Sequence, residues 1–306
     1  MKRKLLYGRK RSVAEWIFLI VFLAWPSFCF FWSHIVLKIN SFTLAFASYD
    51  EISGNFFYNA GISNFRKVIY DLSTVPEMVT MLWRSILYNL VSILWVPIPL
   101  FVSFMIYKKC PFSKIFIVIL FLPSIISSII WVMSYKYIMD YVIPELLHLD
   151  ITISLLLSKD AFIYLVVYAL FMGFAGGLII YTGAMSRIPE ELIEYGHLEG
   201  LTIIQEFIFI TIPLIYPTLM VVMLTWPIGV FTCDPGVFSF YGATARSETW
   251  TLGYYYFSIL LSSSGVAQKI NYPYASAAGL LFTVIAIPLT FAWKAFLEKL
   301  DPGVEF

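Results

Sequence analysis

Long stretches without any Asp, Glu, Lys or Arg recur along the chain. A helix that crosses the hydrocarbon core of a bilayer needs about 20 predominantly apolar residues. Six stretches meet that length, at 16–37, 86–107, 115–135, 161–185, 207–233 and 270–293. The pattern predicts an all-α integral membrane protein, a helical bundle of six spans. A further uncharged stretch, 249–268, is diluted by serine, threonine and glycine and reads as an interfacial helix. Pro97 and Pro99 interrupt the second span, and Pro213, Pro217 and Pro227 interrupt the fifth, because proline removes a helical donor and crowds the preceding turn. No internal repeat is evident, and the inverted symmetry of many secondary transporters is not visible.

Composition agrees. Of 306 residues, 60% are hydrophobic, 19% aromatic and only 13% charged, against about a quarter charged in soluble domains. The mean hydropathy is +0.83. A net charge of +1 argues against nucleic-acid binding, which needs a basic surface. Cys29, Cys110 and Cys233 lie far apart, at no metal-ligand spacing, and read as lipid-facing or packing residues.

The basic residues give an orientation. Lys2, Arg3, Lys4, Arg9, Lys10 and Arg11 precede the first span, whose apolar part is too long for a signal-peptide core and is followed by no A-x-A cleavage site. Residues 1–15 therefore read as a cytoplasmic tail, 16–296 as the membrane domain and 297–306 as a second cytoplasmic tail. With six spans the inner segments also carry Lys108, Lys109, Lys114, Arg187, Lys294 and Lys299, twelve basic residues in all. The outer segments carry seven: Lys38, Arg66, Lys67, Lys136, Lys159, Arg246 and Lys269. Arg84, at the mouth of the second span, reads either as a contact for an anionic solute or as a side chain snorkelling to the interface.

The inner segment 187–206 has an unusual charge pattern. Glu190, Glu191, Glu194, Glu199 and Glu206 face a single Arg187. Pro189 fits the first position of a short helix, with Glu190 and Glu191 complementing its dipole. The helix should end near Gly196 to Gly200, and Thr202 with Gln205 should cap a second helix running into the fifth span. Glu190 and Glu191 each repel Glu194 at helical spacing, and no Lys or Arg inside the segment relieves them. The pattern reads either as a solvated acidic loop or as a surface completed by a basic partner.

Ile188-Pro-Glu-Glu-Leu-Ile-Glu-Tyr-Gly-His-Leu-Glu-Gly-Leu, followed by Phe207 and Ile210-Thr-Ile-Pro213-Leu, resembles the EAA loop of the type I (MetI-like) permease subunits of bacterial ABC importers. The likeness is nearest to the first permease subunit of oligosaccharide importers of the maltose type. Glu194 stands at that family's glutamate, Gly200 at its glycine and Pro213 at its proline. Tyr195 and Gly196 replace two alanines, Glu199 an aspartate and Leu201 a final alanine. Asn40 to Asp50, Asn64-Phe, Phe121-Leu-Pro123 and Tyr274-Ala-Ser-Ala-Ala278 are also similar to that subunit, whereas Cys233-Asp-Pro-Gly236 lacks the family's double glycine.

The resemblance implies a six-span ABC importer permease with a cytoplasmic coupling helix, multi-pass in a bacterial plasma membrane with both termini inside. It implies a second homologous permease, two cytoplasmic ATPase subunits and an extracellular solute-binding lipoprotein as partners, and a carbohydrate, favoured as an oligosaccharide, as cargo. Pro189, Glu190, Glu191, Glu194, Glu199, Gly200 and Pro213 would form the ATPase-coupling segment. No G-x-x-x-x-G-K-[ST] occurs, so ATP hydrolysis falls to another chain, and no cofactor or metal is expected in this one.

Sugars are held by aromatic stacking and hydrogen bonds, which makes Asn89, Thr225, Trp226 and Trp131 candidates for the substrate path. The tryptophans read equally as interfacial anchors and Asn89 as a helix-to-helix bond. His34, His148 and His197 are scattered, with no H-E-x-x-H or G-x-S-x-G, so the chain does not read as an enzyme. A glycerophosphodiester or another polar solute is the alternative cargo. A self-contained secondary transporter is the alternative class, but it would place ionisable residues inside its spans, and here only His34, near an end, qualifies.

Overall fold

Some of the apolar stretches wind into single helices and others divide. The computed structural model describes residues 13–146, 148, 154–261 and 265–303; the basic residues 2–11 lie outside them. The chain falls into two units, Met1–Val68 with Gly265–Leu280, and Ile69–Ser264 with Leu281–Phe306.

In the first unit α1 (Val13–Phe31) is apolar all round and has no buried residue. It runs through a π-helical segment, Trp32–Val36, into α2 (Leu37–Leu44). Strands β1 (Ser48–Asp50) and β2 (Asn55–Phe57) form an antiparallel hairpin with Tyr49 opposite Phe56. Asp50 closes its turn by accepting from the backbone N–H groups of Ile52 and Ser53. At the start of α3 (Ser63–Thr74), Asn64 Nδ2 donates to the carbonyls of Ala45 and Ala47, at 2.9 and 2.8 Å. Lys269, from the first turn of α16 (Val266–Lys299), lies over the Tyr49 ring at 5.8 Å, a cation–π contact.

In the second unit α4 (Pro76–Trp95) and α5 (Pro97–Tyr107) together make the second predicted span, joined at Val96. Further along come α6 (Ser113–Ile125), α7 (Ser128–Tyr137), a π-helical turn at Ile138–Val142, α8 (Ile143–Leu146) and α9 (Ala161–Met185). The inner segment forms α10 (Glu190–Leu198) and α11 (Ile203–Glu206). The fifth span follows as a π-helical Phe207–Thr211, α12 (Ile212–Met223) and α13 (Trp226–Thr232), then α14 (Val237–Tyr241) and α15 (Leu252–Leu261).

Among the described residues five helices are long and apolar enough to cross a membrane: Val13–Phe31, Pro76–Tyr107, Ala161–Met185, Ile203–Thr232 and Val266–Lys299. The third predicted span, 115–135, is not one of them. It is split into α6 and α7 because Ile126 and Ser127 are extended, with ψ of 142° and 135°. Pro123 lacks an N–H for the turn before it, and Ser127 restarts the helix by accepting from the N–H of Ile130 and Trp131. The stretch 249–268 contains α15, ten residues long and too short to span a membrane by itself.

Among the described residues several apolar clusters hold the second unit, a small one of Met78, Met81 and Leu252 and two larger ones. At one, Leu100, Phe104, Tyr181, Met185, Ile188, Ile215 and Leu219 join α5, α9 and α12. At the other, Val132, Met139, Leu156, Leu165, Tyr168, Val237, Phe240 and Tyr254 pack together. Side chains that reach backbone carbonyls lace the loops around the latter: Tyr241 to Leu156, Arg246 to Leu157, and Lys136 to Phe240. The cysteines are all free, Cys29 exposed and Cys233 buried.

Candidate coupling surface and cavity

The segment between α9 and the fifth span folds as helix, glycine turn, helix. Pro189 is extended (ψ 133°) and caps the helix, which begins one residue later than its sequence suggests, at Glu190. Ile188 is buried and Ile193 packs on the cluster around Phe104 and Met185. The opposite face is exposed, with Glu190, Glu191, Glu194 and Glu199 in solvent. Tyr195 and Leu198 stand among them, 67% and 83% exposed. The outward face of α10 is thus an acidic stripe with two apolar side chains, while its inward face is fixed to the bundle.

Gly200, at φ +76°, ends α10. Its N–H donates to the His197 carbonyl and that of Leu201 to the Gly196 carbonyl, both at 3.0 Å, which is the Schellman arrangement. A Cβ on Gly196 would stand 2.7 Å from Ile210 Cδ1, so glycine at this position lets α10 lie directly on the start of the fifth span. The capping box is formed: Thr202 Oγ1 accepts from the Gln205 N–H, and Gln205 Oε1 accepts from the Thr202 N–H at 2.9 Å. Pro213 opens α12 directly after the π-helical Phe207–Thr211. The Phe207 ring lies 4.8 Å from that of Phe104.

Glu206 departs from the other four acids. It is fully buried and accepts from Lys108 Nζ at 2.9 and 3.0 Å, one bond to each carboxylate oxygen. His197 Nε2 is 3.2 Å from its second oxygen. Arg187, the segment's one arginine, is exposed, and Glu206 is relieved instead from the end of α5. This pairing escapes sequence reading because 98 residues separate the partners and neither occupies a periodic position relative to the other.

Asn89 and Trp226 are brought together. They line a cavity of about 400 Å³ with Pro227, Val230, Trp293 and Phe296. Trp226 and Trp293 have ring centroids 6.1 Å apart, and Trp293 stacks on Phe296 at 5.3 Å. Asn89 is buried, donates to the Ser85 carbonyl at 2.9 Å, and turns its amide oxygen into the space a side chain at Gly229 would occupy. The cavity therefore offers aromatic faces on an otherwise apolar wall, with the Asn89 amide turned to Ser85 and Gly229. Thr225 sits in the break between α12 and α13, exposed, its hydroxyl donating to the Val222 carbonyl. Trp131 is elsewhere in the unit, packed edge-on against Phe171 at 5.6 Å. Its buried indole N–H has no hydrogen-bond partner among the described residues.

Arg84 donates to the Ser247 carbonyl at 2.7 Å, which gives it a structural partner. Asp234, in the loop after the fifth span, accepts from the N–H of Val237 at 2.6 Å and caps α14. Burial pushes its carboxyl above the usual range, and the hydrogen bonds oppose this.

No family model matches the chain. It is similar to the arabinooligosaccharides transport system permease protein AraP of Bacillus subtilis (strain 168), 24% identical over 239 residues that cover 75% of this chain and 72% of the relative. The multiple sugar-binding transport system permease protein MsmF of Streptococcus mutans serotype c is 23% identical over 173 residues, 55% of this chain and 58% of its own. Among solved structures, a bacterial ABC transporter involved in the import of the acidic polysaccharide alginate matches at a TM-score of 0.70 and 19% identity, over 93% of this chain and 96% of that one. The alginate transporter in complex with its alginate pentasaccharide-bound periplasmic protein matches at 0.72 and 18%, over 94% and 96%. The chain has the all-α membrane fold of an ABC importer permease.

Proposed function

We propose that this chain is the membrane-spanning permease subunit of an ATP-driven importer, and that it passes a carbohydrate, favoured as an oligosaccharide, handed to it by an extracellular solute-binding protein. ATP is hydrolysed by two separate cytoplasmic subunits, and a second homologous permease completes the pore. Both termini lie in the cytoplasm. The relatives named as sugar permeases support the cargo class, and the periplasmic protein in the alginate complex supports delivery by a binding protein.

One observation carries the reading: α10 shows solvent an acidic stripe bearing Tyr195 and Leu198 while its other face is locked to α5, α9 and α12. An exposed apolar pair ringed by charge is a docking surface, and a helix rigid beneath it transmits force. Glu194 meets a basic residue of the ATPase, Gly200 allows the turn, and Pro213 sets the angle into the fifth span. Closure of the ATPase pair drives α10 as a lever and shifts the bundle between inward- and outward-facing packings.

The deciding experiment is the Glu194→Lys exchange in the complex purified through this chain. Loss of the ATPase from the complex and of ATP-driven uptake is the expected result. Unchanged assembly with unchanged uptake would defeat the docking role of Glu194, and a wild-type complex that takes up no solute on ATP would defeat the importer reading.

A further inference from the structure

We infer that Lys108, Glu206 and His197 form a latch that makes α10 and α5 move as one piece, so that the stroke of the coupling helix reaches the second span directly. The inference rests on the importer reading for the origin of the stroke, but the latch itself is a property of this chain. Glu206 stands in the first turn after the Thr202 cap, where the helix dipole favours a carboxylate, and none of its surface reaches solvent. Lys108 caps α5 and spans both oxygens at 2.9 and 3.0 Å. His197, in the last turn of α10, brings Nε2 to 3.2 Å from the second oxygen. One buried carboxylate therefore ties the end of α5, 98 residues away, to the end of α10 and the start of the fifth span.

Apolar packing holds the inward face of α10 without directional bonds, and a two-oxygen ion pair adds a fixed distance and rotation. A buried charge also resists separation, because parting the pair leaves an uncompensated ion in a dry site. Lys108, Glu206 and His197 are thus positioning residues. Lys108 and Glu206 lie off the exposed stripe of Glu190, Glu191 and Glu194, whereas His197, half-exposed, stands at i+3 from Glu194.

Removing one partner alone risks misfolding, so the test removes both charges together. The double variant Lys108→Met, Glu206→Met, co-expressed with the ATPase subunits, the second permease and the binding protein, should keep the fold, since apolar pairs replace buried ion pairs well. It should also retain the ATPase at wild-type stoichiometry. In proteoliposomes its ratio of solute taken up to ATP hydrolysed should fall at least fivefold, while Lys108→Arg keeps more than half of the wild-type ratio. An unchanged ratio in an assembled double variant would overturn the latch. A second readout needs no ATPase: amide hydrogen exchange at Gly200 and Leu201 in the detergent-purified chain should accelerate at least tenfold in the double variant, and unaltered protection would overturn the latch independently. If the wild-type complex couples no hydrolysis to uptake, the importer reading fails, and the exchange measurement still decides the latch.

Discussion

Gly253 lies directly on the backbone of Thr232: a Cβ at that glycine would stand 2.7 Å from the Thr232 carbonyl carbon. The close approach docks the start of α15 on the end of the fifth span. Around it, Thr251 Oγ1 donates to the Cys233 carbonyl at 2.8 Å, and the Leu252 N–H donates to Ser85 Oγ at 3.1 Å. Backbone atoms cannot step aside as a flexible side chain does. Gly253→Ala should therefore cost about 1–3 kcal/mol, seen as a lower Tm of the detergent-solubilised protein. Gly279→Ala, with open space around its Cα, should leave the Tm where it is.

Ser85 is fully buried and answers the Leu252 N–H. Ser85→Ala leaves that donor unmatched in a dry site, at a cost of about 1–3 kcal/mol. Ser85→Thr, which keeps the hydroxyl, should lose less if its extra methyl is accommodated. Thermal unfolding of the two variants side by side separates the hydrogen bond from the packing.

Gly200 holds a φ of +76° with nothing crowding its Cα, so a side chain there meets conformational strain but no collision. Gly200→Ala should cost about 1–2 kcal/mol and loosen the end of α10. The expected functional mark is weaker retention of the ATPase during purification, with the membrane domain itself still folded.

Trp226 and Asn89 share the open cavity that Trp293 and Phe296 also line. Trp226→Ala removes one aromatic face, worth about 0.5–1.5 kcal/mol. The half-saturating concentration of solute for uptake should rise by up to about tenfold, while the complex stays intact. Normal uptake kinetics in an assembled Trp226→Ala complex would take the cavity out of the substrate path.

Asp234 carries a pH signature. Burial raises its carboxyl above the ordinary value, so the folded protein binds its proton more tightly than the unfolded chain does. A raised group contributes stability that is fully present below the unfolded value of about 4 and is lost as pH rises through the folded value. Asp234→Asn keeps an oxygen for the Val237 N–H but cannot ionise. Between pH 4 and pH 7 the Tm of the natural protein should fall relative to that of the variant, and parallel Tm profiles would show that Asp234 is not the source.

The membrane class was legible from unbroken apolar stretches, and the inner segment from residues whose roles are local. Pro189 and Gly200 bound α10, and Thr202 with Gln205 forms the next cap. Periodicity did not show that the stretch 115–135 divides into α6 and α7, because it counts apolar residues and does not weigh the extended backbone at Ile126 and Ser127. The cavity was half legible: Asn89 and Trp226 stood out as a polar residue and an aromatic near proline breaks, but Trp293, 67 positions after Trp226, joins them only through the fold. Lys108 with Glu206 was least legible, since sequence shows how many charges there are but not which two meet.

Val96, between the two halves of the second span, keeps helical angles (φ −50°, ψ −40°) although Pro97 follows it. In hydrocarbon an unpaired carbonyl is costly because no water is there to bond it, so a joint that had to unwind would be held shut by the lipid itself. Here α4 and α5 each retain their own ladder of hydrogen bonds on either side of the proline. The Val96 N–H still donates to the Ile93 carbonyl and the Val96 carbonyl still accepts from the Leu100 N–H, so the span passes its proline step without baring that joint's backbone to lipid.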